Sequence, residues 1–236
     1  MQEILLFGIS PLSERIAYYI EHGRSVKNFS VKGFIIDDEY FSEDNFANKK
    51  IYRYSEAKEN FSENVPVIIC IGYKNMNENR KNIFHRLQAD GWTIESFIST
   101  AAVIDTDSIG VGNIFIENSR IGISCEIGNA NIFDSSYLGH HSAVGDFNFF
   151  CNNSTTGGKI KIGDCCFFGM NSTVRNGVEI HDKTLIGAGC YINHSTDKPG
   201  LAYAAPKPIY LGRSDLAEML WNNPGGGIVL TRIINL

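Results

Sequence analysis

From Val103 an apolar side chain returns every six residues, at Val103, Ile109, Phe115, Ile121, Ile127 and Phe133. One five-residue step then reaches Leu138. The six-residue step resumes at Val144, Phe150, Thr156, Ile162, Phe168, Val174, Ile180, Ile186 and Ile192, and Thr156 alone among these is not apolar. A period of six matches neither the 3.6 of a helix nor the 2 of a half-buried strand. It matches a three-sided prism in which each side is one hexad long and the apolar residue points inward. Glycine follows the apolar position at 110, 122, 128, 139, 145, 163, 169 and 187, where the backbone must bend beside a neighbouring coil. A small residue usually stands two positions before it, as at Ser136, Ser142, Ser154, Cys166, Ser172, Thr184 and Cys190. Each coil then takes about eighteen residues, and like positions stack: Ile109 on Ile127, and Val144 on Ile162 on Ile180. The slip before Leu138 marks an irregular corner. The expected fold of this half is a left-handed parallel β-helix of about five coils.

The first hundred residues follow a different rule. Apolar runs at Ile4–Phe7, Val31–Ile36 and Val65–Ile71 alternate with helical patterns through Ile16, Tyr19 and Ile20 and from Asn75 to Asp90, and Trp92–Ile98 reads as a fourth strand. Such alternation predicts a small parallel α/β sheet. Ligands of such sheets bind beyond the carboxyl ends of the strands. Those ends carry Gly8 with Ser10, Asp37 with Asp38, and Gly72 with Tyr73. The segment Gly8-Ile-Ser-Pro-Leu-Ser13 lacks the glycine spacing of a dinucleotide fingerprint. The expected organisation is an α/β domain over 1–98, the β-helix over 99–211 and a tail over 212–236. In the tail, Ser214 could cap a short helix through Trp221, and 228–236 is strand-like.

Composition narrows the function classes. A net charge of −5 gives no footprint for nucleic acid, and no apolar run reaches the length of a membrane span. The start, MQEILLFGIS, has neither a basic leader nor a cleavage site. The six cysteines show no metal-ligand spacing. Cys125, Cys166 and Cys190 all fall on the small inner position, which suits buried, inert thiols. A cytoplasmic protein with reduced thiols and no metal is the expectation. Among six histidines, the informative pair is His140 and His141. His140 follows a corner glycine and should project outward near an edge of the prism.

The segment Leu138-Gly-His-His-Ser-Ala-Val-Gly-Asp146, followed by Gly157-Gly-Lys-Ile-Lys-Ile-Gly-Asp-Cys-Cys-Phe-Phe-Gly-Met-Asn171, resembles the sialic acid O-acetyltransferase-like family. That family includes N-acetyltransferases of nucleotide-linked amino sugars of the bacillosamine and perosamine type, enzymes of surface-polysaccharide synthesis. The resemblance runs to about Leu211. It implies an acyl-CoA-dependent sugar N-acyltransferase, working as a homotrimer with acyl-CoA as co-substrate. His140 matches the general base. Asp134 and Ser135 match positions near the acceptor amine. Ser10, Asp37 and Asp38 match contacts to the acceptor nucleotide, with Gly72 beside them. Met170 and Ala188 match the acyl-CoA groove, and Pro206 with Lys207 resembles the pair near the CoA adenine. Three positions depart from the family. His141 stands where it has a carboxylate beside the base. Phe149 stands where it has a second histidine at the CoA site. Pro11 and Leu12 replace the glycine and histidine of its first loop.

Other classes remain open on the residues alone. A sugar O-acetyltransferase differs in not needing the acceptor's nucleotide. A zinc hydratase on the same fold needs three meeting histidines, and only His140 and His141 cluster. A non-catalytic β-helix scaffold would fail to bind CoA.

Overall fold

The computed structural model describes residues 1–62 and 64–207. Met1–Ala205 form one compact unit, and a second begins at Pro206. The expected tail elements at 212–236 lie outside the described residues.

The first part is a five-stranded sheet. Its parallel strands are β1 (Gln2–Phe7), β2 (Phe29–Ile36), β4 (Lys49–Arg53) and β5 (Val67–Ile69), and β3 (Asn45–Phe46) pairs antiparallel with β4. The spatial order is β3-β4-β2-β1-β5. The chain therefore moves outward from β1 through β2 to β4, then returns to the other side of β1 for β5. That reversal makes a topological switch at the carboxyl ends of β1 and β5, where open α/β sheets form a crevice. Helix α1 (Pro11–Glu21) begins in this crevice. Ser10 caps it by accepting the Ser13 N–H, while the Ser13 hydroxyl accepts the Ser10 N–H at 2.9 Å. Pro11 at the first turn has no N–H to leave orphaned. Helices α2 (Tyr54–Phe61) and α3 (Glu78–Ala89) follow β4 and β5. The β3–β4 pair and α2 are absent from the sequence reading, because KKIYR buries only Ile51 and offers no apolar run.

The segment expected as a fourth strand of this sheet is divided. Ile94 makes a single parallel bridge to Val67, but Phe97–Ile98 pairs with Ile114–Phe115 of the β-helix. It belongs to the prism because Phe97 points under α1, against Tyr19, and Ile98 packs on the prism core.

The prism has three parallel faces. The first carries seven strands, from Phe97–Ile98 to Ala202–Tyr203, and the second six, from Val103–Ile104 to Tyr191–Ile192. The third carries four, from Glu126–Ile127 to Glu179–Ile180. The stacks expected at Ile109 with Ile127 and at Val144, Ile162 and Ile180 are present. Val103 is a correction. It is 49% exposed, and Ile104 takes the inward place in register with Ile121. The step from Ile104 to Ile109 is therefore five, like the step from Phe133 to Leu138. Thr156, the polar exception, is buried and accepts the Gly139 N–H through its hydroxyl at 3.1 Å.

Two ladders run along the prism. Phe115, Phe133, Phe150 and Phe168 stack inside the first face at centroid distances of 5.0, 4.5 and 4.3 Å. At the corner between the third and first faces, Asn129 accepts the Val111 N–H, Asp146 that of Asn129, Asp164 that of Asp146, and Asp182 that of Asp164. This is why glycine precedes Asn129, Asp146 and Asp164 in the column. A Cβ on Gly145 would lie 2.2 Å from Asp164 Oδ1, and one on Gly163 would lie 2.0 Å from Asp182 Oδ1.

The α/β part rests on the outer side of the first face. Ile4, Leu6, Ile16, Tyr19 and Ile20 form one core with Ile114, Ile132 and Phe149. Under α3, Phe84 and Leu87 meet Ala130, Phe147 and Cys165.

Candidate active site

His140 and His141 lie at the corner between the second and third faces, and both are exposed. Their Nδ1 atoms are 2.9 Å apart, within hydrogen-bond reach. One ring must hold the Nδ1 proton and the other accept it. When His140 is the donor, its Nε2 lone pair is free to take a proton. His141 is held at φ +56, an uncommon conformation for a non-glycine residue. The next coil keeps room for the His140 ring. A Cβ on Gly158 would lie 2.7 Å from His140 Nε2. Within one chain the hydrogen-bond partner of the His140 ring is His141.

Asp134 sits at a different corner, between the first and second faces. It accepts from Arg15 of α1 at 2.8 Å, and Ser135 beside it donates to the Glu117 carbonyl at 2.8 Å. Ser136–Leu138 runs extended between the two corners. At 3.2–3.4 Å per residue this puts Asp134 and His140 about 15–20 Å apart. Within one chain they do not meet.

Met170 and Ala188 lie down the same corner two and three coils beyond Asp134, both exposed. The Met170 carbonyl accepts the Gly189 N–H at 2.9 Å, so these two are neighbours. Phe149 lies apart from them. It is 8% exposed and packs edge-on against Tyr73, with Phe167 alongside. Its ring packs under the α/β part. Pro206 and Lys207 are exposed and open the second unit.

The acceptor candidates sit along the carboxyl edge of the sheet. Asp37 directly follows β2 and is ion-paired with Arg86 of α3. The Arg86 guanidinium also lies 4.2 Å from the Tyr54 ring centroid. Asp38 accepts both the N–H and the hydroxyl of Ser55, at 3.0 and 2.6 Å. Those bonds, the hydroxyl's first, hold its carboxyl below the usual carboxylate range. Asp37, Asp38, Glu39, Tyr54, Ser55 and Arg86 together line an open hollow. One and two strands away respectively, Ser10 and Gly72 face the crevice at the ends of β1 and β5. Gly8 there has φ +111, and a Cβ on it would lie 2.8 Å from Ile71.

Sequence reasoning missed Arg80, which fixes this edge to the prism. It is completely buried. It donates to the carbonyls of Ile71 (3.2 Å) and Gly72 (2.9 Å) after β5, and to those of Ala130 (2.9 Å), Phe147 (2.7 Å) and Asn148 (3.1 Å) in the prism. Burial lowers its pKa to about 9. A lone arginine in a polar helix carries no sequence signal of this. Among the described residues, no group of three or more His, Cys, Asp or Glu is placed to hold a metal ion.

Comparison with known proteins agrees with this architecture. Residues 159–194 match the bacterial transferase hexapeptide family (six repeats). The fold is shared with several solved structures, acetyltransferases among them. The acetyltransferase domain of PglB from Neisseria gonorrhoeae FA1090 superposes with a TM-score of 0.72 at 15% identity, over 86% of this chain and 96% of that one. PerB from Caulobacter crescentus, solved with CoA and GDP-perosamine, gives 0.73 at 16% identity, over 86% and 93%. WeeI from Acinetobacter baumannii AYE gives 0.73 at 20% identity, over 85% and 96%. No curated protein matches the sequence.

Proposed function

We propose that this protein transfers an acyl group, acetyl in the simplest case, from acyl-CoA to the amino group of a nucleotide-linked amino sugar. The observation that carries the reading is the exposed His140–His141 couple at a prism corner, on a fold that PerB shares from its N-terminal sheet through its coils. The amine must be neutral to attack a thioester carbonyl. His140 Nε2 takes its proton as the C–N bond forms, a role worth ~10² to 10⁴ in rate. The Gly158 N–H, in the coil below and beside the His140 ring, is the donor we assign to the oxyanion. Collapse of the tetrahedral intermediate breaks the C–S bond, and the CoA thiolate leaves and is protonated. No acyl-enzyme is needed. Asp37, Asp38, Ser10 and Gly72 hold the nucleotide end of the acceptor. Asp134 and Ser135 lie by the amine, and Met170 and Ala188 lie along CoA.

Because Asp134 and His140 sit on different corners, the site closes only when one copy's histidine corner faces another copy's Asp134 corner. A cyclic trimer does this three times over. In this reading the 1–98 segment selects the acceptor, 99–211 performs the transfer, and both substrates are met in the cytoplasm.

The test is thiol release from acetyl-, propionyl- and 3-hydroxybutyryl-CoA against dTDP-, UDP- and GDP-linked amino sugars. Release that depends on one nucleotide-linked sugar is expected. Equal use of a free sugar, or no CoA binding at all, refutes the assignment. Light scattering that finds a stable monomer refutes the shared site.

A further inference from the structure

Tyr73 follows Gly72 at the carboxyl end of β5. It is 52% exposed, yet its ring is held in place from below. Phe149 meets it edge-on at 5.2 Å and 74°, and Phe167 lies at 4.8 Å and 52°. The loop that carries it is fixed at both ends. Arg80 grips the Ile71 and Gly72 carbonyls from within the core. Asn77, fully buried, accepts nothing at its side-chain oxygen and donates its amide to the Cys166 carbonyl of the prism at 3.1 Å. Between these anchors Asn75, Met76 and Asn77 all have positive φ, at 55, 47 and 65. Three successive left-handed non-glycine residues cost free energy, and such strain persists only where surrounding contacts enforce it. A flexible surface loop would need none of this to leave a tyrosine in water.

Position says what the ring can meet. The carboxyl ends of β2, β1 and β5 are adjacent in that order. At about 4.8 Å per strand, the Asp37–Asp38 hollow and Tyr73 stand about 10 Å apart, on either side of the switch crevice. Tyr73 is on the prism side, over the coils that bear Phe149 and Phe167. A nucleotide sugar laid along this edge with its nucleotide end at Asp37 and Asp38 brings its glycosyl ring to Tyr73.

We propose that Tyr73 is an acceptor-recognition residue whose ring packs against the apolar face of the sugar, with Phe149 and Phe167 as its rigid backing. This rests on the acyltransferase reading for the identity of the ligand. It also gives Phe149 a place as backing for the sugar subsite, away from CoA.

The test compares binding of GDP-, UDP- and dTDP-linked amino sugars with binding of the matching free nucleoside diphosphates, by calorimetry on the full chain. Tyr73→Ala should lose about tenfold in affinity for whichever nucleotide sugar the wild type binds, an effect of the size of one aromatic contact. Its affinity for the free diphosphate should stay within about twofold. Tyr73→Phe should keep both, because the ring and not the hydroxyl makes the contact. Equal losses for sugar and diphosphate in Tyr73→Ala, or no loss for either, overturn the proposal while leaving the enzyme assignment intact. A wild type that binds no nucleotide sugar overturns both. Unchanged thermal unfolding of Tyr73→Ala is the folding control; if it unfolds early, the Tyr73→Leu variant, which retains apolar bulk without the ring, must show the same selective loss.

Discussion

Replacing Arg80 by Met should cost the protein about 2–5 kcal/mol. The guanidinium has no carboxylate partner among the described residues, only five backbone carbonyls. Methionine fills much of the volume but donates nothing. Each carbonyl left buried without a donor costs about 1–3 kcal/mol. The five are not equal. The Asn148 carbonyl keeps a second donor, the Ile132 N–H at 2.9 Å. The Ile71 and Gly72 carbonyls lie at the partly buried rim of the network, where water can replace the lost donor. The Ala130 and Phe147 carbonyls have no other donor among the described hydrogen bonds and are buried. Two orphaned carbonyls give about 2–6 kcal/mol. Relief from burying a charge trims the upper end, since burial already pulls the arginine's pKa down. Urea unfolding of wild type and Arg80→Met, analysed with a shared slope, measures the difference. Arg80→Lys, with three donors in place of five, should fall between them. A loss below about 1 kcal/mol in Arg80→Met would refute the view that this residue joins the sheet to the prism.

His140→Asn should lower kcat/KM by ~10² or more without changing the melting temperature, because His140 is exposed and leaves no cavity. His141→Asn should be milder, since Asn can still hydrogen-bond the His140 ring; the reverse ordering would show that His141 is the base. Asp38→Ala should raise the acceptor KM with little change in kcat and leave CoA binding unaltered; an unchanged KM in the folded variant removes the nucleotide from this edge. Stability should fall as pH rises above about 10. Burial, and after it the Glu117 carboxylate, push Tyr19 up to about 12, so it is neutral in the folded protein while the unfolded chain ionises near 10. That contribution is complete below pH 10 and is lost between 10 and 12. Tyr19→Phe should flatten the decline in chemical denaturation across that range, and an equally steep decline would count against it.

The β-helix was legible in the sequence because its backbone repeats. Identical positions face identical surroundings in every coil, so the apolar hexad, the glycine after it and the small residue before it declare the inward side without any long-range knowledge. Even the exceptions have local causes: Thr156 hydrogen-bonds Gly139 inside the core, and the short step to Leu138 falls at the Asp134–Ser135 corner. The strands β1, β2 and β5 were equally readable, each being a short apolar run ending in turn residues. The first boundary was not. Val103 and Ile104 are both apolar, and only pairing with Arg120 and Ile121 decides which points inward. Nor could spacing reveal β4, whose one buried residue leaves no pattern. The fixing of the sheet to the prism through Arg80, the pairing of Asp134 with Arg15, and the stacking of Tyr73 on Phe149 join residues 67, 119 and 76 positions apart. Such contacts depend on where whole elements dock, a quantity no local spacing encodes. The sequence by itself therefore determined the coil and the placing of His140 on its edge. Tertiary structure alone decided that the histidine corner and the Asp134 corner point apart, because the strand between them must span one full side of the prism.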